Sequence, residues 1–332
     1  MSEYLNENEW NDVEMFRLLV NNENDLKITY NRIINPDYNT MTIDSNPIDK
    51  TIVQVYNTKF GCGFGDFIRG CITLAQCAKH FNVKFHISME EHPISNYLKN
   101  QDYILKELSP INKKIIRCCS GCKDLYKLLS EFVKSDDKVI FVQSNLGYLV
   151  NFVTSDIKEY INNRLTFKDE YYETALEYTS QFEQYTVLHI RCFDHYIFGE
   201  YKDDNIMNKI EDLKLDTNTI VMANNYSLKK LVAETYGFYF IDKHPGHSDI
   251  SYYCPELYLT VIEYIILSKS TRNVCFSYYK HGSGFSEHPS VLHNIPYQVT
   301  YVTKPNWPIE SREDQYRKYV KAWNEKWDEK GF

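Results

Sequence analysis

The chain has 332 residues, of which 43% are hydrophobic, and its formal net charge at pH 7 is −8. This length and apolar content can supply one large core or two ordinary ones, which excludes a wholly disordered protein. Nucleic-acid binding depends on clustered lysine and arginine. Positive charge is scattered here without a basic run, so we expect no nucleic-acid partner.

The sequence contains no apolar stretch near the roughly 20 residues that a membrane-spanning helix needs, and its opening residues do not resemble a signal peptide. We therefore expect a cytoplasmic protein without a membrane span and interpret its nine cysteines as free thiols. Cys119 and Cys122 form a Cys-x-x-Cys pair, but no second pair lies at zinc-finger spacing. A zinc or redox role there is the minor alternative to a loop with incidental cysteines.

The first half of the chain predicts alternating strands and helices after the polar residues 1–50, where only 12–19 suggests a helix. In chain order we predict a strand at 51–57, a glycine-rich turn at 61–70, a helix at 66–81, strands at 83–88 and 113–119, a helix at 124–134 and a strand at 138–144. Strand–helix–strand successions of this kind are typical of parallel sheets with crossover helices.

Residues 155–182 predict a helix in two pieces that join near Thr166, after which a second alternation begins. Its predicted strands are 185–192, 218–225, 238–242, 273–277 and 296–302, and its predicted helices are 227–237, 255–270 and 282–294. Gly237 supplies a C-cap for the first of these helices. The charged tail at 310–330 predicts a final amphipathic helix.

Two such series predict the α/β class, with two facing Rossmann-like domains and a C-terminal helix. We place an acceptor-side domain at 1–170, a nucleotide-sugar donor domain at 171–305 and a helix that packs across both domains at 306–332. Open α/β sheets bind ligands at the carboxyl ends of their strands, so two facing sheets form a cleft. A single large α/β domain with an irregular N-terminal extension is the alternative.

Half of the twelve glycines lie in two short stretches that each follow a predicted strand and open a predicted helix: Gly61, Gly63, Gly65, Gly70, Gly282 and Gly284. Glycine permits a positive φ and a close backbone approach, and a helix N-terminus offers free N–H groups. The combination suits a pyrophosphate. Tight turns without a ligand are the alternative explanation.

A second group of candidate residues ends the predicted strand at 185–192. Strand alternation puts His189 and Arg191 on one side, and an arginine at a strand's carboxyl end can bind phosphate oxygens in a bidentate manner. Asp194 could orient that guanidinium. The alternative is an ordinary ion pair at a solvent-facing strand end.

Three motifs together resemble the α1,2-, α1,6- and protein O-fucosyltransferase superfamily. They are the turn Gly63-Phe-Gly-Asp-Phe-Ile-Arg-Gly70, the strand end His189-Ile-Arg-Cys-Phe-Asp194 and the turn Ser283-Gly-Phe-Ser286, which occur in the family's order. The segment that ends in Asn224-Asn225 resembles the family's intermediate motif, which commonly carries an aspartate. Here Asn224-Asn225 replaces that acidic position, and Cys192 replaces the usual second basic residue.

The resemblance implies a GT-B fold, a GDP-fucose donor, a glycan acceptor and inversion at the anomeric carbon without a bound metal or another cofactor. It implies that Arg191 binds the β-phosphate and stabilises departing GDP, that His189 lies at the nucleotide or sugar, and that Ser283 to Ser286 donate to the pyrophosphate. The residues assigned to donor binding are His189, Arg191, Asp194, Asn224, Ser283, Gly284, Phe285, Ser286, Gly63, Gly65 and Arg69.

An acceptor hydroxyl needs a general base, for which Asp66 is the candidate, followed by Glu90 and Glu91. A helix N-cap is the alternative role of Asp66. The sequence contains no Asp-x-Asp, the pair that holds Mn²⁺ or Mg²⁺ in metal-dependent glycosyltransferases. His244, His247 and Asp249 could bind a metal, but an exposed loop is the simpler explanation.

We therefore predict an inverting, metal-independent glycosyltransferase in which Arg191 and Asp66 are the catalytic residues. Glycosyl transfer from another nucleotide-sugar and a non-catalytic nucleotide-binding relative are the alternatives. A NAD-dependent oxidoreductase is disfavoured, because Asp66 stands where the third glycine of GxGxxG belongs.

Overall fold

The computed structural model describes residues 47–57, 62–99, 115–118, 122–148, 153–193, 204–243, 257–279 and 282–302. The chain separates into two compact units, one that ends at Lys168 and one that begins at Asp169. The predicted helices at 12–19 and 310–330 lie outside the described residues, as does most of the predicted segment 306–332.

The first unit contains a sheet whose described strands are all parallel, in the order β2-β1-β4-β3. The strands are β1 (Ile48–Val55), β2 (Val83–Ser88), β3 (Ile115–Cys118) and β4 (Val139–Ser144). The helices are α1 (Phe64–His80), α2 (Cys122–Lys134) and α3 (Ser155–Arg164), with a 3₁₀ turn at Pro93–Tyr97.

Helix α1 is the central helix of this unit. Asp66 in its first turn and Lys79 in its last turn complement the helix dipole. Its buried face and that of α2 pack on the sheet in one apolar cluster, formed by Ile52, Leu74, Cys77, Ala78, Val83, Leu125, Leu129, Phe132, Ile140 and Val142. This packing fixes the start of α1 against the carboxyl ends of β1 and β4.

The second unit contains a sheet whose described strands are also all parallel, in the order β7-β6-β5-β8-β9. The strands are β5 (Thr186–Arg191), β6 (Thr219–Ala223), β7 (Tyr239–Phe240), β8 (Arg272–Ser277) and β9 (Tyr297–Tyr301). The helices are α4 (Asp169–Thr179), α5 (Asp204–Leu213), α6 (Tyr226–Tyr236), α7 (Leu257–Lys269) and α8 (Gly284–His293).

The two faces of the second sheet differ in chemistry. On one face, residues such as Leu188, Ile190, Val274 and Phe276 pack in an apolar cluster with α5 and α6. Because side chains alternate along a strand, the other face carries the intervening residues of β5 and β8. Among these, His189, Asn273, Cys275 and Ser277 are buried and polar or weakly polar, Val187 is buried and apolar, and Arg191 is partly exposed.

The predicted α/β class with two parallel sheets is confirmed, and every predicted strand and helix within the described residues is present with shifted ends. Helix α6 ends as predicted at Gly237, whose φ is 67°. Helix α5 was not predicted. The face-to-face arrangement of the two units and their predicted boundaries stay predictions. In the described residues, no helix combines the length and apolar character needed to cross a membrane.

Candidate active site

The carboxyl edge of the second sheet brings together most of the residues predicted to bind a donor. Strand order reverses between β5 and β8, since β6 and β7 continue to one side and β9 to the other. Such a reversal is where open α/β sheets bind ligands. Arg191 at the end of β5 is in register with Ser277 at the end of β8, and the turn before α8 follows β8 directly.

Arg191 carries the positive charge of this edge. Its guanidinium lies 5.2 Å from the centre of the Tyr279 ring, and its Nη1 donates to the carbonyl of Cys192 at 3.3 Å. Phe193 packs edge-on against the same tyrosine, with 4.9 Å between ring centres. The aromatic ring and the carbonyl orient a guanidinium that is only half-buried, which is a suitable arrangement for an anion.

His189 lies under this edge and is 4% exposed. Its Nδ1 is 2.9 Å from the Oγ of Ser286, and its ring contacts Phe285 edge-on with 5.8 Å between centres. Burial and, to a lesser degree, the charge of Arg191 lower the pKa of His189 to about 3. The imidazole is therefore neutral at physiological pH, so any role in ligand binding is that of an uncharged group.

The turn into α8 has the features that the glycine argument predicted. Gly282 adopts a φ of 72°, a left-handed conformation that favours glycine. Ser283 is the N-cap, and its side chain makes no capping hydrogen bond. The N–H groups of Gly284 and Phe285, in the first helical turn, have no acceptor within the helix. The end of α8 thus offers backbone donors and a positive dipole end.

Ser286 is buried and makes contacts within the protein, and its predicted role in donor binding stays a prediction. We expected its hydroxyl to donate to a pyrophosphate, but the residue is 0% exposed and its Oγ lies against His189. Its N–H donates to the carbonyl of Ser283 at 3.2 Å. Both polar groups of Ser286 are therefore used within the protein, because α8 turns this side chain towards the sheet.

Asn224, another residue predicted to bind the donor, bonds the backbone of Cys192, and its binding role stays a prediction. Its Oδ1 accepts from the N–H of Cys192 at 2.7 Å, and its Nδ2 donates to the carbonyl of Cys192 at 3.0 Å. The side chain ties the end of β6 to the residue after Arg191. Cys192 itself is 0% exposed, so the position where the family carries a second basic residue is part of the core here.

The first unit has a comparable edge, formed by the end of β1 and the start of α1. Gly63 is the N-cap of α1 with an ordinary φ of −62°. Asp66 is not the N-cap; it lies in the first turn, and its Oδ1 is 3.6 Å from Nη1 of Arg69. Gly65 is buried in the same turn. The structure thus places Gly63, Gly65, Asp66 and Arg69 together, with a carboxylate that is 40% exposed.

Gly70 explains a further part of the first glycine motif. A Cβ at this position would lie 1.8 Å from the carbonyl oxygen of Ser144 and 2.5 Å from Nε2 of Gln54. Gln54 is 0% exposed and exchanges two hydrogen bonds with the backbone of Ser144, at 3.0 and 3.2 Å. This glycine is needed for the contact between α1 and the ends of β1 and β4, rather than for a ligand.

His92, which the sequence analysis did not single out, lies beside the start of α1. Its ring centre is 4.5 Å from that of Tyr56, 4.9 Å from Phe67 and 5.6 Å from Phe64. Its Nδ1 accepts from the N–H of Ile94, and burial lowers its pKa to about 3. Glu90 and Glu91, the reserve candidates for a base, form the turn just before it.

Several predicted residues lie outside the described part of the chain: Gly61, Cys119, Asp194, His244, His247 and Asp249. Within the described residues, no group of three or more His, Cys, Asp or Glu is placed to hold a metal ion.

Two features of the site were missed from sequence. One is Tyr279, two residues beyond β8, which supports Arg191. The other is the polar network under α8, in which Asn273 donates to Ser290 at 2.8 Å and Ser290 donates to the carbonyl of Ser286 at 2.7 Å. In the sequence, the alternate positions Asn273, Cys275 and Ser277 of β8 could have predicted that one face of this strand is buried and polar.

No protein-family model matches the sequence, and no curated protein matches it. Solved structures with a partly similar chain course include those of fucosyltransferases. A mutant of Arabidopsis thaliana FUT1 in complex with GDP has a TM-score of 0.46 and 12% identity, covering 92% of this chain and 80% of that chain. POFUT1 in complex with GDP has a TM-score of 0.45 and 11% identity, covering 77% of this chain and 98% of that chain. NodZ α-1,6-fucosyltransferase soaked with GDP-fucose has a TM-score of 0.45 and 10% identity, covering 73% and 92%.

Proposed function

We propose that this protein is an inverting, metal-independent glycosyltransferase that transfers fucose from GDP-fucose to a hydroxyl of a glycan acceptor. The observation that carries the proposal is the meeting of Arg191, neutral His189 and the N-terminus of α8 at the strand-order reversal of the second sheet. The order of the three motifs in the sequence supports fucose and GDP as the donor's parts.

In the proposed reaction, the acceptor oxygen forms a bond to the anomeric carbon while the bond from that carbon to the β-phosphate oxygen breaks. Negative charge grows on the departing diphosphate. The guanidinium of Arg191 and the free N–H groups of Gly284 and Phe285 are the groups that would stabilise that charge. They are preorganised, because the Tyr279 ring and the packing of α8 hold them before a ligand arrives.

The acceptor proton needs a base, and we assign it to the carboxylate of Asp66 in the first unit. Asp66 is sufficiently exposed to accept a proton from a bound sugar hydroxyl. Its pairing with Arg69 gives it a fixed direction. The assignment stays a proposal, with Glu90 and Glu91 as the alternatives.

The decisive experiment compares two arginines of the second sheet, one at the carboxyl ends of its strands and one at the amino ends. Arg191 ends β5, whereas Arg272 begins β8 at the opposite edge and bonds Gln298. We expect Arg191→Ala to reduce fucosyl transfer by a factor of 100 or more, on the order of the loss of one preorganised charge-stabilising group. Arg272→Ala should leave transfer unchanged. Equal activity of the two folded variants would refute the assignment of Arg191.

A binding experiment distinguishes an active transferase from a non-catalytic nucleotide-binding relative. The second possibility is worth testing because Cys192, which is buried, stands where a second basic residue is expected. Thermal shifts with GDP, UDP, CDP, dTDP, GDP-fucose and NAD should show selective stabilisation by GDP and GDP-fucose that persists in EDTA. Binding of GDP-fucose without hydrolysis or transfer to any acceptor would support the non-catalytic relative instead. Selective stabilisation by another nucleotide would replace the donor.

A further inference from the structure

We infer that Ser286 is a positioning residue, which holds the neutral His189 ring as the tautomer with its proton on Nε2. The inference rests on the proposed function for the identity of the ligand. It concerns the hydroxyl of Ser286, to which the motif resemblance assigns direct binding of the pyrophosphate.

The direction of the hydrogen bond follows from the contacts of Ser286. Its hydroxyl lies 2.9 Å from Nδ1 of His189 and 3.4 Å from the carbonyl of Ser283, and the side chains of Cys275 and Tyr297 also interact with it. The carbonyl of Ser283 already accepts from the N–H groups of Ser286 and Glu287, at 3.2 and 3.0 Å. The shorter contact therefore takes the proton, and Nδ1 is the acceptor.

The tautomer of the imidazole is set by this contact. A neutral imidazole has one donor and one acceptor nitrogen, so an accepting Nδ1 leaves the proton on Nε2. Burial keeps the ring neutral, as its lowered pKa shows. Nε2–H is then an uncharged donor on a ring that feels the charge of Arg191, and under the proposed function it would bond an oxygen of the donor's phosphate or sugar.

Ser286 is itself held in place by a buried polar network. Its carbonyl accepts from Ser290, whose Oγ accepts from Nδ2 of Asn273. The Oδ1 of Asn273 in turn accepts from Ser270. Each of these residues is at most 6% exposed. The network joins β8 to the backbone of α8 at Ser286, and the buried side chain of Ser286 lies against His189.

The test combines a tautomer measurement with kinetics for Ser286→Ala, using Ser268→Ala as the matched control. Ser268 is a buried serine of the same unit whose hydroxyl also bonds the carbonyl three residues earlier, Ile265, at 2.7 Å. Nitrogen-15 NMR of the histidine rings in the unliganded protein, with His189→Gln to assign the signal, reports which ring nitrogen carries the proton.

We expect the wild type and Ser268→Ala to show Nε2–H at His189, and Ser286→Ala to show a mixture of tautomers. Transfer should fall about tenfold in kcat, the rate equivalent of one lost hydrogen bond, with little change in the Kd for GDP. Ser286→Thr, which keeps the hydroxyl, should restore the tautomer and most of the rate.

Two results would overturn the inference. One is an Nδ1–H tautomer in the wild type. The other is a Ser286→Ala variant whose His189 tautomer is unchanged and whose affinity for GDP falls as much as that of Arg191→Ala. That result would mean that Ser286 binds the phosphate directly. Because the NMR signal is read without substrate, a chain that shows the tautomer change but no fucosyl transfer would refute the proposed function and leave the Ser286 contact established.

Discussion

The two units place similar parts at the carboxyl edges of their sheets and use them differently. Each has a parallel sheet with a strand-order reversal, a glycine turn into a helix and a buried histidine whose pKa is about 3. In the first unit the histidine packs among aromatic rings and the nearby charges pair with each other. In the second, a hydroxyl bonds the histidine and an arginine stands at the edge. A shared architecture therefore does not imply a shared role, and the second edge is the one organised for an anion.

Each unit also has a buried lysine, and the two lysines have different partners. Replacing them gives the largest expected change in the free energy of unfolding. Lys50 donates only to backbone carbonyls, those of Phe132, Ser135 and Asp137, at 3.0, 2.5 and 2.7 Å. Lys229 is 0% exposed; its Nζ donates to the carbonyl of Lys243 at 2.7 Å and lies 3.9 Å from a carboxylate oxygen of Glu263. Only the second lysine balances a buried carboxyl group.

We expect Lys229→Met to lower the free energy of unfolding by about 3–5 kcal/mol, because it leaves Glu263 buried without its cation. Burial already raises the pKa of Glu263, and Lys229 opposes that rise. The double variant Lys229→Met/Glu263→Leu should regain most of the loss, whereas Lys50→Met should cost only about 2 kcal/mol. Urea unfolding of the four proteins measures this. No recovery in the double variant would show that packing, not charge, explains the cost.

Gly63 and Gly70, two glycines of the first motif, provide the next test, because the atoms around them differ. Gly70→Ala places a Cβ against the Ser144 carbonyl and should destabilise the first unit by about 3 kcal/mol. In an open helix the same change would be stabilising by about 1 kcal/mol. Gly63→Ala, whose Cβ would be 3.9 Å from the nearest atom, Oδ2 of Asp66, should cost less than about 1 kcal/mol.

Thermal or urea unfolding separates these glycines. If Gly70→Ala were as stable as the wild type, the backbone would have moved to admit the methyl group and the packing explanation would be wrong. If Gly63→Ala kept its stability and lost binding of GDP or the acceptor, a close approach of ligand to that turn would be supported.

Much of the fold was accessible from the sequence, because its strands are short apolar runs and its helices have clear ends such as Gly237. Helix α5 was missed although Ile206, Ile210 and Leu213 have helical spacing and Asp203, a common N-cap residue type, precedes it, since its first turn is polar. The structure brings His189, Arg191 and Ser283–Ser286 to the second edge, and their roles in donor binding stay predictions. The inward direction of Ser286 and the use of Asn224 were not predictable, because they depend on how α8 and β6 pack, which no local pattern records.

The buried histidines His92 and His189 allow a direct comparison of the two units through the pH dependence of stability. The pKa of His92 is about 3 in the folded protein and about 6.5 in an ordinary environment. The folded state thus favours the neutral ring, and this contribution to stability is complete above pH 6.5. It is lost as the pH falls from 6.5 towards 3, by about 1.4 kcal/mol per pH unit.

His92→Phe removes this titration while keeping an aromatic ring beside Tyr56 and Phe67. Between pH 6.5 and 5 the wild type should therefore lose about 2 kcal/mol relative to the variant, a difference in which the protein's other titrating groups cancel. His189→Gln should give a loss of similar size for the second unit. Urea unfolding at both pH values is the measurement. The stability difference between wild type and His92→Phe could be the same at both pH values while that for His189→Gln changes as expected. This result would mean that the aromatic surroundings of His92 accept a charged ring. In that case its burial would be less costly than that of His189, because the faces of Tyr56 and Phe67 would stabilise the cation.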